Sequence, residues 1–296
     1  MRAHKNLSYA LITPARNEDA FIEKTIQSVI SQTVLPKKWI IVSDGSTDRT
    51  DEIVKKYAAK NNWIELMQMP EHKERHFAAK AICFNAGYKK IKSPRYDIIG
   101  NLDADLSFEK DYFEFLLGKF AENAGLGVAG TPFVENSSSY DYNFTNIEHV
   151  SGACQLFRRK CLEEIGGYLP IKGGGIDFVA VTTARMKGWK TRTFADKTIF
   201  HHRKIGTGNN SFMMSRFTYG LKDYSFGNHP LWEIFRTFYQ MTKRPYIIGG
   251  LFLFSGYAWA LLNGIKRPAP RELIEFYRNE QMQRLKNIFY RFLKIQ

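Results

Sequence analysis

Short apolar segments alternate with helical segments over the first 131 residues, and this alternation constrains the fold more than any other feature of the chain. The segments that we predict as strands are 8–13, 39–42, 63–69, 97–102 and 126–131, and those with helical spacing are 20–32, the stretch after Thr47-Asp48, 76–90 and 109–122. Strands joined by single helices require crossover connections, which pair the strands in parallel. We therefore predict an α/β fold with a mostly parallel central sheet flanked by helices.

Polar residues follow three of the predicted strands at the points where those strands end. Arg16-Asn17-Glu18 comes after the first strand, Asp44 after the second, and Asp103 with Asp105 after the fourth. Sheets of this kind bind ligands at the carboxyl ends of their strands. We therefore expect these side chains to share one site.

The triplet Asp103-Ala104-Asp105 places two carboxylates one residue apart at a strand end. Their repulsion raises the pKa of one of them unless a cation sits between them. Hard oxygen ligands of this type suit Mg²⁺ or Mn²⁺, usually shared with a substrate phosphate. The triplet predicts a divalent cation site. The alternative is a surface loop in which two aspartates stand one residue apart by chance.

Composition permits either one large domain or one domain with an appendage, since 44% of the 296 residues are hydrophobic. The formal net charge is +14, and most of it lies in residues 201–296, which hold 15 Lys and Arg against 5 Asp and Glu. Such a basic region attracts anionic lipid, nucleic acid or an acidic glycan, or it forms a solvated face. The three cysteines show no metal-ligand spacing, which indicates reduced thiols in a cytosolic protein.

The alternation of strand and helix patterns becomes less regular after residue 132, and the C-terminal third contains a long uncharged segment followed by a basic one. We predict strands at 151–157, 190–194 and 198–200 and helices at 159–165 and 177–187. Residues 245–265 carry no charge, and cations bracket them on both sides. Three interpretations remain open for this segment: a single membrane crossing, a contact that dips into the membrane, or a buried helical hairpin. Residues 271–296 are expected to form a basic amphipathic helix.

Several motifs in order resemble the opening of family 2 glycosyltransferases. The resemblance rests on residues 10–18 (Ala-Leu-Ile-Thr-Pro-Ala-Arg-Asn-Glu), 28–33 (Ser-Val-Ile-Ser-Gln-Thr), 41–48 (Ile-Val-Ser-Asp-Gly-Ser-Thr-Asp), the Asp103–Asp105 triplet, Gly175-Ile176-Asp177 and His202. It implies a GT-A fold over residues 1–205, with a nucleotide-sugar-binding half at 1–131 and an acceptor half at 132–205. Residues 206–296 would form a helical, basic and apolar extension associated with the membrane.

The resemblance also implies a donor site. The residues expected to hold the nucleotide sugar are Pro14, Arg16, Glu18, Asp44, Arg75, Lys80 and Asp103. Glu18 and Asp44 can accept hydrogen bonds from a uracil-like N–H and from ribose hydroxyls, while the cations can neutralise the diphosphate. For Asp44, capping of the turn that follows it is the alternative role.

The same resemblance assigns the metal and the catalytic base. Asp103, Asp105 and His202 are the expected metal ligands; of the adjacent His201 and His202 only one can point inward, and we favour His202. Asp177 is the expected general base, which takes the proton from the acceptor hydroxyl. Ile176 stands where the family has an acidic residue, and a helix N-cap is the alternative role for Asp177.

Together these features predict a metal-dependent, inverting transfer of sugar from a nucleotide-diphosphate sugar to a glycan or lipid-linked hydroxyl. The resemblance to the family implies a UDP-sugar as the donor. No signal-peptide core follows Met1, so we expect the protein to be cytosolic. We expect it to act at the cytosolic face of an anionic membrane, and we do not expect nucleic acid as a partner. The alternatives are a non-enzymatic polyanion- or membrane-binding protein and a nucleotidyltransferase with a similar sheet. A dehydrogenase is disfavoured because residues 13–18 contain no glycine.

Overall fold

The structure, a computed structural model, describes residues 7–70, 78–91, 96–134, 146–203 and 212–293, with side chains to residue 290. The chain divides into two units, residues 1–204 and residues 205–296.

The described part of the first unit alternates strands and helices as predicted. Its strands are β1 (Tyr9–Ala15), β2 (Lys38–Ser43), β3 (Ile64–Gln68), β4 (Ile98–Leu102), β5 (Leu106–Ser107), β6 (Leu126–Gly130), β7 (Phe133–Val134), β8 (Cys154–Arg158), β9 (Lys190–Thr193) and β10 (Ile199–His201). Its helices are α1 (Ile22–Ile30), α2 (Thr50–Ala58), α3 (Ala78–Lys90), α4 (Tyr112–Glu122), α5 (Arg159–Ile165) and α6 (Ile176–Met186).

Seven of these strands form the central sheet in the order β3-β2-β1-β4-β8-β6-β9. The pairs β3–β2, β2–β1, β1–β4 and β6–β9 are parallel, whereas β8 runs antiparallel to both of its neighbours. The predicted α/β fold with a mostly parallel sheet is confirmed. Because β1, β2 and β4 are parallel neighbours, their carboxyl ends lie at one edge of the sheet.

Helix α3 packs closely on β1 and β2 through Gly87. A Cβ at this position would lie 2.8 Å from Cγ2 of Ile12 and 3.0 Å from Cγ2 of Val42, so a larger residue would push the helix away from the sheet. The strands beneath it are buried apolar segments, as expected where helices cover a parallel sheet. This close contact fixes the helix that carries Lys80.

A second, three-stranded sheet has the order β5-β10-β7. Strand β10 runs antiparallel to β5, which pairs His201 with Leu106 and Phe200 with Ser107. Because β5 begins directly after Asp105, this pairing brings residues 199–203 alongside the Asp103–Asp105 triplet.

In its described part, the second unit contains the helices α7 (Phe212–Ser225), α8 (Pro230–Met241), α9 (Ile248–Leu262) and α10 (Arg271–Leu293). Glycines let the backbones of α7 and α9 touch: a Cβ at Gly220 would lie 2.0 Å from the carbonyl oxygen of Leu253, and one at Gly256 would lie 2.0 Å from that of Phe217. Among the described residues, no helix combines the length and the apolar character that a membrane crossing requires.

All three cysteines, Cys83, Cys154 and Cys161, are free and buried. Burial raises the pKa of each thiol to about 12. Thiols held protonated in this way react slowly, because the thiolate is the nucleophile.

Candidate functional site

The carboxyl ends of β1 and β2 bring Arg16 and Asp44 together. The register pairs Ala15 with Ser43, and the backbone N–H of Asp44 donates to the carbonyl oxygen of Ala15 over 2.8 Å. Beyond this pair, Nη1 of Arg16 lies 3.5 Å from Oδ2 of the buried Asp44. A cation and a carboxylate therefore stand side by side at this edge of the sheet.

Pro14 lies within β1, paired in register with Val42 and half-buried. Arg75 lies outside the described residues.

Asp103, Asp105 and His201 form a cluster after β4 and at the end of β10. One ligand atom from each of the three side chains lies within 4.8 Å of the others. Nε2 of His201 is 3.5 Å from Oδ1 of Asp105, and both side chains are largely buried. Two carboxylate oxygens and one imidazole nitrogen are therefore close enough to share one metal ion.

The histidine of this cluster is His201, where the sequence favours His202. In β10 the side chains alternate, so Ile199 and His201 share the inward direction while Phe200 is exposed. His202 turns away: its Nε2 lies 2.9 Å from Oγ of Ser107, and its ring stacks on that of Phe21. The structure therefore places the imidazole of His201, and not that of His202, beside the two carboxylates, in a strand that ends one residue later than the predicted one.

Lys80 stands next to Asp103. Its Nζ lies 2.5 Å from Oδ1 of Asp103 and donates to the carbonyl oxygen of Gly152 over 3.0 Å. The pKa of Asp103 is raised by burial, lowered by Lys80 and raised by Asp105, with a net shift upward. The carboxylate pair is thus strained by desolvation and mutual repulsion, a state that a further cation relieves.

Arg203 joins Glu18 to this cluster, a role that the sequence did not reveal. Nη2 of Arg203 lies 2.5 Å from Oε2 of Glu18, and Nε lies 3.7 Å from Oδ2 of Asp105. Burial raises the pKa of Glu18 to about 7, against the lowering effect of Arg203 and with a smaller upward effect of Asp105. Nε of Arg203 is buried without a hydrogen-bond acceptor among the described residues, so the guanidinium has unused donor capacity here.

Asp177 lies in the first turn of α6, and Gly175, not Asp177, occupies the N-cap position. Its Oδ2 accepts a hydrogen bond from the backbone N–H of Gly152 over 3.1 Å. The alternative N-cap role of Asp177 is therefore wrong, and its carboxylate is directed to the segment that precedes β8.

One residue, Gly152, links the two acidic regions. Its N–H bonds Asp177, while its carbonyl oxygen accepts from Lys80 and from Nδ2 of Asn101, the latter over 2.8 Å. Lys80 in turn pairs with Asp103. Asp177 and the Asp103 cluster are thus held in one hydrogen-bonded network, and the sequence predicted neither these hydrogen bonds of Gly152 nor the part of Asn101.

The donor set of the cluster fits a divalent cation. Carboxylate oxygens suit Mg²⁺ and Mn²⁺, and an added imidazole is a ligand that transition metals accept readily. Burial is the main cause that raises the pKa of Asp103, and Lys80 offsets this effect only in part. Asp103, Asp105 and His201 would hold the ion, and the neighbouring Lys80 and Arg203 would face its anionic partner.

Comparison with known proteins gives a family match in the first unit. A family model described as "Glycosyl transferase family 2" matches residues 10–166. Poly-beta-1,6-N-acetyl-D-glucosamine synthase from Staphylococcus aureus is 32% identical over 170 residues, which cover 51% of this chain, and the enzyme of that name from Staphylococcus epidermidis is 28% identical over the same length. The aligned region spans only 39% of the length of these relatives.

Solved structures share the fold at low sequence identity. Mannosyltransferase PcManGT from Pyrobaculum calidifontis, in complex with GDP-Man and Mn²⁺, has a TM-score of 0.60 and 17% identity, covering 86% of this chain and 87% of that chain. TarS 1–349 from S. aureus, in complex with UDP-GlcNAc, has a TM-score of 0.57 and 17% identity, covering 87% and 75%. At these identities the likeness establishes the GT-A fold.

Proposed function

This chain belongs to glycosyl transferase family 2, and we propose that it transfers a sugar from a nucleotide-diphosphate sugar to a hydroxyl acceptor, with inversion at the anomeric carbon. The observation that carries the proposal is the network in which Asp177 and the cluster of Asp103, Asp105 and His201 are joined through Gly152 and Lys80. A cation-binding group and a separate carboxylate, held rigidly in one site, are what displacement of a diphosphate by a hydroxyl requires.

Each group has a distinct part in this reaction. Asp177 accepts the proton of the acceptor hydroxyl, and the N–H of Gly152 holds its carboxylate in position. Lys80, and Arg203 once it leaves Glu18, donate to the diphosphate oxygens. A bound Mn²⁺ or Mg²⁺ would stabilise the charge that develops on the leaving diphosphate.

We propose UDP as the nucleotide of the donor. Glu18 and Asp44 stand at adjacent strand ends, where a base N–H and ribose hydroxyls need acceptors, and Pro14, Arg16 and Arg75 complete the proposed donor site. TarS was solved with UDP-GlcNAc, and the staphylococcal relatives are named as synthases of an N-acetylglucosamine polymer. UDP-GlcNAc is therefore the first donor to test.

We propose a glycan or lipid-linked hydroxyl as the acceptor, in assembly of a cell-surface polysaccharide or glycoconjugate. The reaction would take place at the cytosolic face of an anionic membrane. The basic second unit and the names of the relatives support this location. The proposed donor half, residues 1–131, and acceptor half, residues 132–205, would meet at the Gly152 network.

The donor part of the proposal is tested by thermal unfolding with UDP, GDP, dTDP and their sugars, with and without Mn²⁺. A ligand that binds only the folded state raises the melting temperature by mass action. We expect the largest rise for a UDP-sugar with Mn²⁺, and none for that ligand in the Asp105→Asn variant. The exposed Asp196 supplies a matched control, since Asp196→Asn should behave as the wild type.

Release of UDP from the preferred donor then tests catalysis. Asp177→Asn should retain the Mn²⁺-dependent thermal shift yet lose transfer by about 10² to 10⁴-fold, the usual contribution of a general base. A protein that only binds polyanions would show no sugar-dependent shift, and its heparin binding would be unchanged or stronger in Asp105→Asn. That pair of results would refute the proposed function.

A further inference from the structure

Helix α8 buries polar side chains and exposes apolar ones, the reverse of the usual arrangement in water. Glu233 and Thr237 face inward, with Glu233 0% exposed, whereas Leu231, Ile234 and Phe238 face outward and are 52%, 42% and 63% exposed. A surface helix of a water-soluble unit normally buries its apolar stripe and exposes its polar one. The outward face of α8 is therefore built for an apolar environment.

Helix α9 shows the same reversal by a different means. Its small residues Gly249, Gly250 and Gly256 are buried, and Gly250 approaches the carbonyl oxygen of Thr237 on α8 so closely that a Cβ would lie 2.6 Å from it. Leu253 and Tyr257 are buried with them, whereas other large residues point outward, including Leu251 at 53% and Leu262 at 85% exposed. Small residues between helices and large apolar residues outside are typical of helices packed within lipid.

The outward faces of the two helices are continuous in the chain. Every residue from 242 to 248 is exposed, so an exposed turn leads from the end of α8 to the start of α9. This turn includes Tyr246 and Ile247, which are 59% and 60% exposed. Exposed apolar patches of this extent are rare on soluble monomers unless they bind something.

Cations stand at both ends of α9. Lys243 and Arg244 precede the helix and Lys266 follows it, and all three are exposed. Helix α9 has 15 residues, fewer than a membrane crossing requires. With cations at both ends and an apolar flank, such a helix can lie in the membrane plane, where both ends reach the headgroup phosphates. Each such cation near an anionic surface contributes about 1 kcal/mol to binding.

We propose that the apolar face formed by Leu231, Ile234, Phe238, Ile248, Leu251 and Leu262 embeds in one leaflet of an anionic phospholipid bilayer, with α8 and α9 lying in the membrane plane. This inference rests on the membrane location within the proposed function and names the surface responsible for it. It needs neither the donor nor the acceptor, so its test is independent of sugar transfer. A second copy of the chain explains the apolar face less well, because it would supply the same cations and not their counter-charges.

The test is flotation of the full-length protein with vesicles in a density gradient. We expect the protein to rise with vesicles of phosphatidylcholine and phosphatidylglycerol, and to rise much less with vesicles of phosphatidylcholine alone. Phe238→Gln/Leu251→Gln should lower the partition coefficient at least about tenfold, because two side chains no longer gain from apolar burial. Lys243→Glu/Lys266→Glu should abolish the preference for phosphatidylglycerol.

A matched control uses the exposed leucines of the first unit. Leu35→Gln/Leu169→Gln also replaces two apolar side chains, which are 42% and 40% exposed, and should float like the wild type. All substituted positions are exposed, so thermal unfolding should confirm that every variant folds. Equal flotation of the Phe238/Leu251 variant and the wild type would overturn the proposal. The proposal would also be overturned if the wild type failed to float and sedimented as a dimer, while the Phe238→Gln/Leu251→Gln variant sedimented as a monomer.

Quenching of Trp259 provides a second readout. This residue lies on α9 and is 48% exposed, so brominated lipids should reach its ring in the membrane-bound state. The quenched fraction of the emission should fall in Trp259→Phe and should rise slightly in Trp189→Phe, which removes unquenched emission from the first unit. Equal quenching in both variants would contradict immersion of α9.

Discussion

The backbone N–H of Gly152 donates to Oδ2 of Asp177 over 3.1 Å, and the two residues leave no space for a side chain between them. A Cβ on Gly152 would lie 2.9 Å from Cβ of Asp177 and 3.2 Å from its Oδ2. Real Cβ atoms do not approach so closely, so any larger residue must displace the carboxylate. Glycine at this position therefore sets where the proposed base stands relative to Lys80 and Asp103.

We predict that Gly152→Ala lowers the rate of transfer on the order of 100-fold, because a displacement of about 1 Å at a reacting group has that effect. The donor-dependent thermal shift should remain, since the three atoms nearest to the added methyl all belong to Asp177. Gly118→Ala is the control, as a Cβ there meets nothing within 4 Å. Loss of donor binding and rate together would contradict a role confined to Asp177.

Substitution of His201 and substitution of His202 should have different effects on the metal dependence of donor binding. His201→Ala removes an imidazole beside Asp105 and should raise the Mn²⁺ concentration for half-maximal donor-dependent shift by about 10- to 100-fold. His202→Ala removes a contact with Ser107 and should leave that concentration within about threefold. Mn²⁺ titration of both variants measures the difference. The opposite ranking would restore His202 as the ligand.

The raised pKa of Glu18 leads us to predict that UDP binding depends on pH. Its pKa is raised to about 7 by burial, so the carboxylate becomes protonated as the pH falls through that value. If the ionised form accepts hydrogen bonds from the nucleoside, affinity for UDP should fall by up to about tenfold per pH unit below pH 7. Calorimetric titration at fixed Mn²⁺ checks this, with Glu18→Gln expected to flatten the profile.

Glu23 supplies the control for that profile. It lies on α1, and hydrogen bonds from Tyr57 and Lys56 lower the pKa of its exposed carboxyl. Glu23→Gln should leave the pH profile of UDP binding unchanged. A profile that Glu18→Gln does not alter would show that another group titrates.

The long elements of the first unit could be predicted because their signals are local. Apolar runs bounded by turn residues located β1 to β4, and α5 has the predicted bounds, Arg159–Ile165. Strands β5 and β7 have two residues each, too few for any period, and their existence depends on pairing with β10. Without that pairing, the sequence offers no means of choosing between His201 and His202.

The same division applies to the candidate site. Asp103 and Asp105 were predictable because they end a strand, whose parallel neighbours fix the edge at which they lie. The contact of Arg203 with Glu18 joins positions 185 residues apart, and no local pattern encodes it. The reversed polarity of α8 was also hidden, since the apolar spacing of a helix does not state which face is buried.

In the second unit, Glu233 forms a buried polar group with Asn228 and Gln281. Nε2 of Gln281 donates to Oδ1 of Asn228 over 2.9 Å, which leaves Nδ2 of Asn228 to donate to Oε2 of Glu233 over 3.0 Å. Asp223, paired with Arg236, lies close enough to act on the same carboxyl. Burial raises the pKa of Glu233 to about 7; Asp223 adds to this, while Asn228 and Arg236 oppose it.

The direction of the resulting pH effect follows from proton binding. The unfolded carboxyl ionises near its ordinary pKa of 4.5 and the folded one near 7, so between these values the folded state holds the extra proton. Stability contributed by this group is therefore present below about pH 4.5 and is lost as the pH rises through 7. The slope can reach about 1.4 kcal/mol per pH unit within that window.

We predict that Glu233→Gln stabilises the protein at pH 8 and has little effect at about pH 4.5, because the amide keeps an oxygen for Asn228 and cannot ionise. Urea unfolding of wild type and variant at intervals between these pH values measures the difference in free energy. Glu272→Gln, an exposed carboxyl on α10, is the control and should follow the wild type. Parallel curves for wild type and Glu233→Gln across the whole range would mean that Glu233 is ionised in the folded protein. Its unpaired Oε1 would then require a donor that the described residues do not provide.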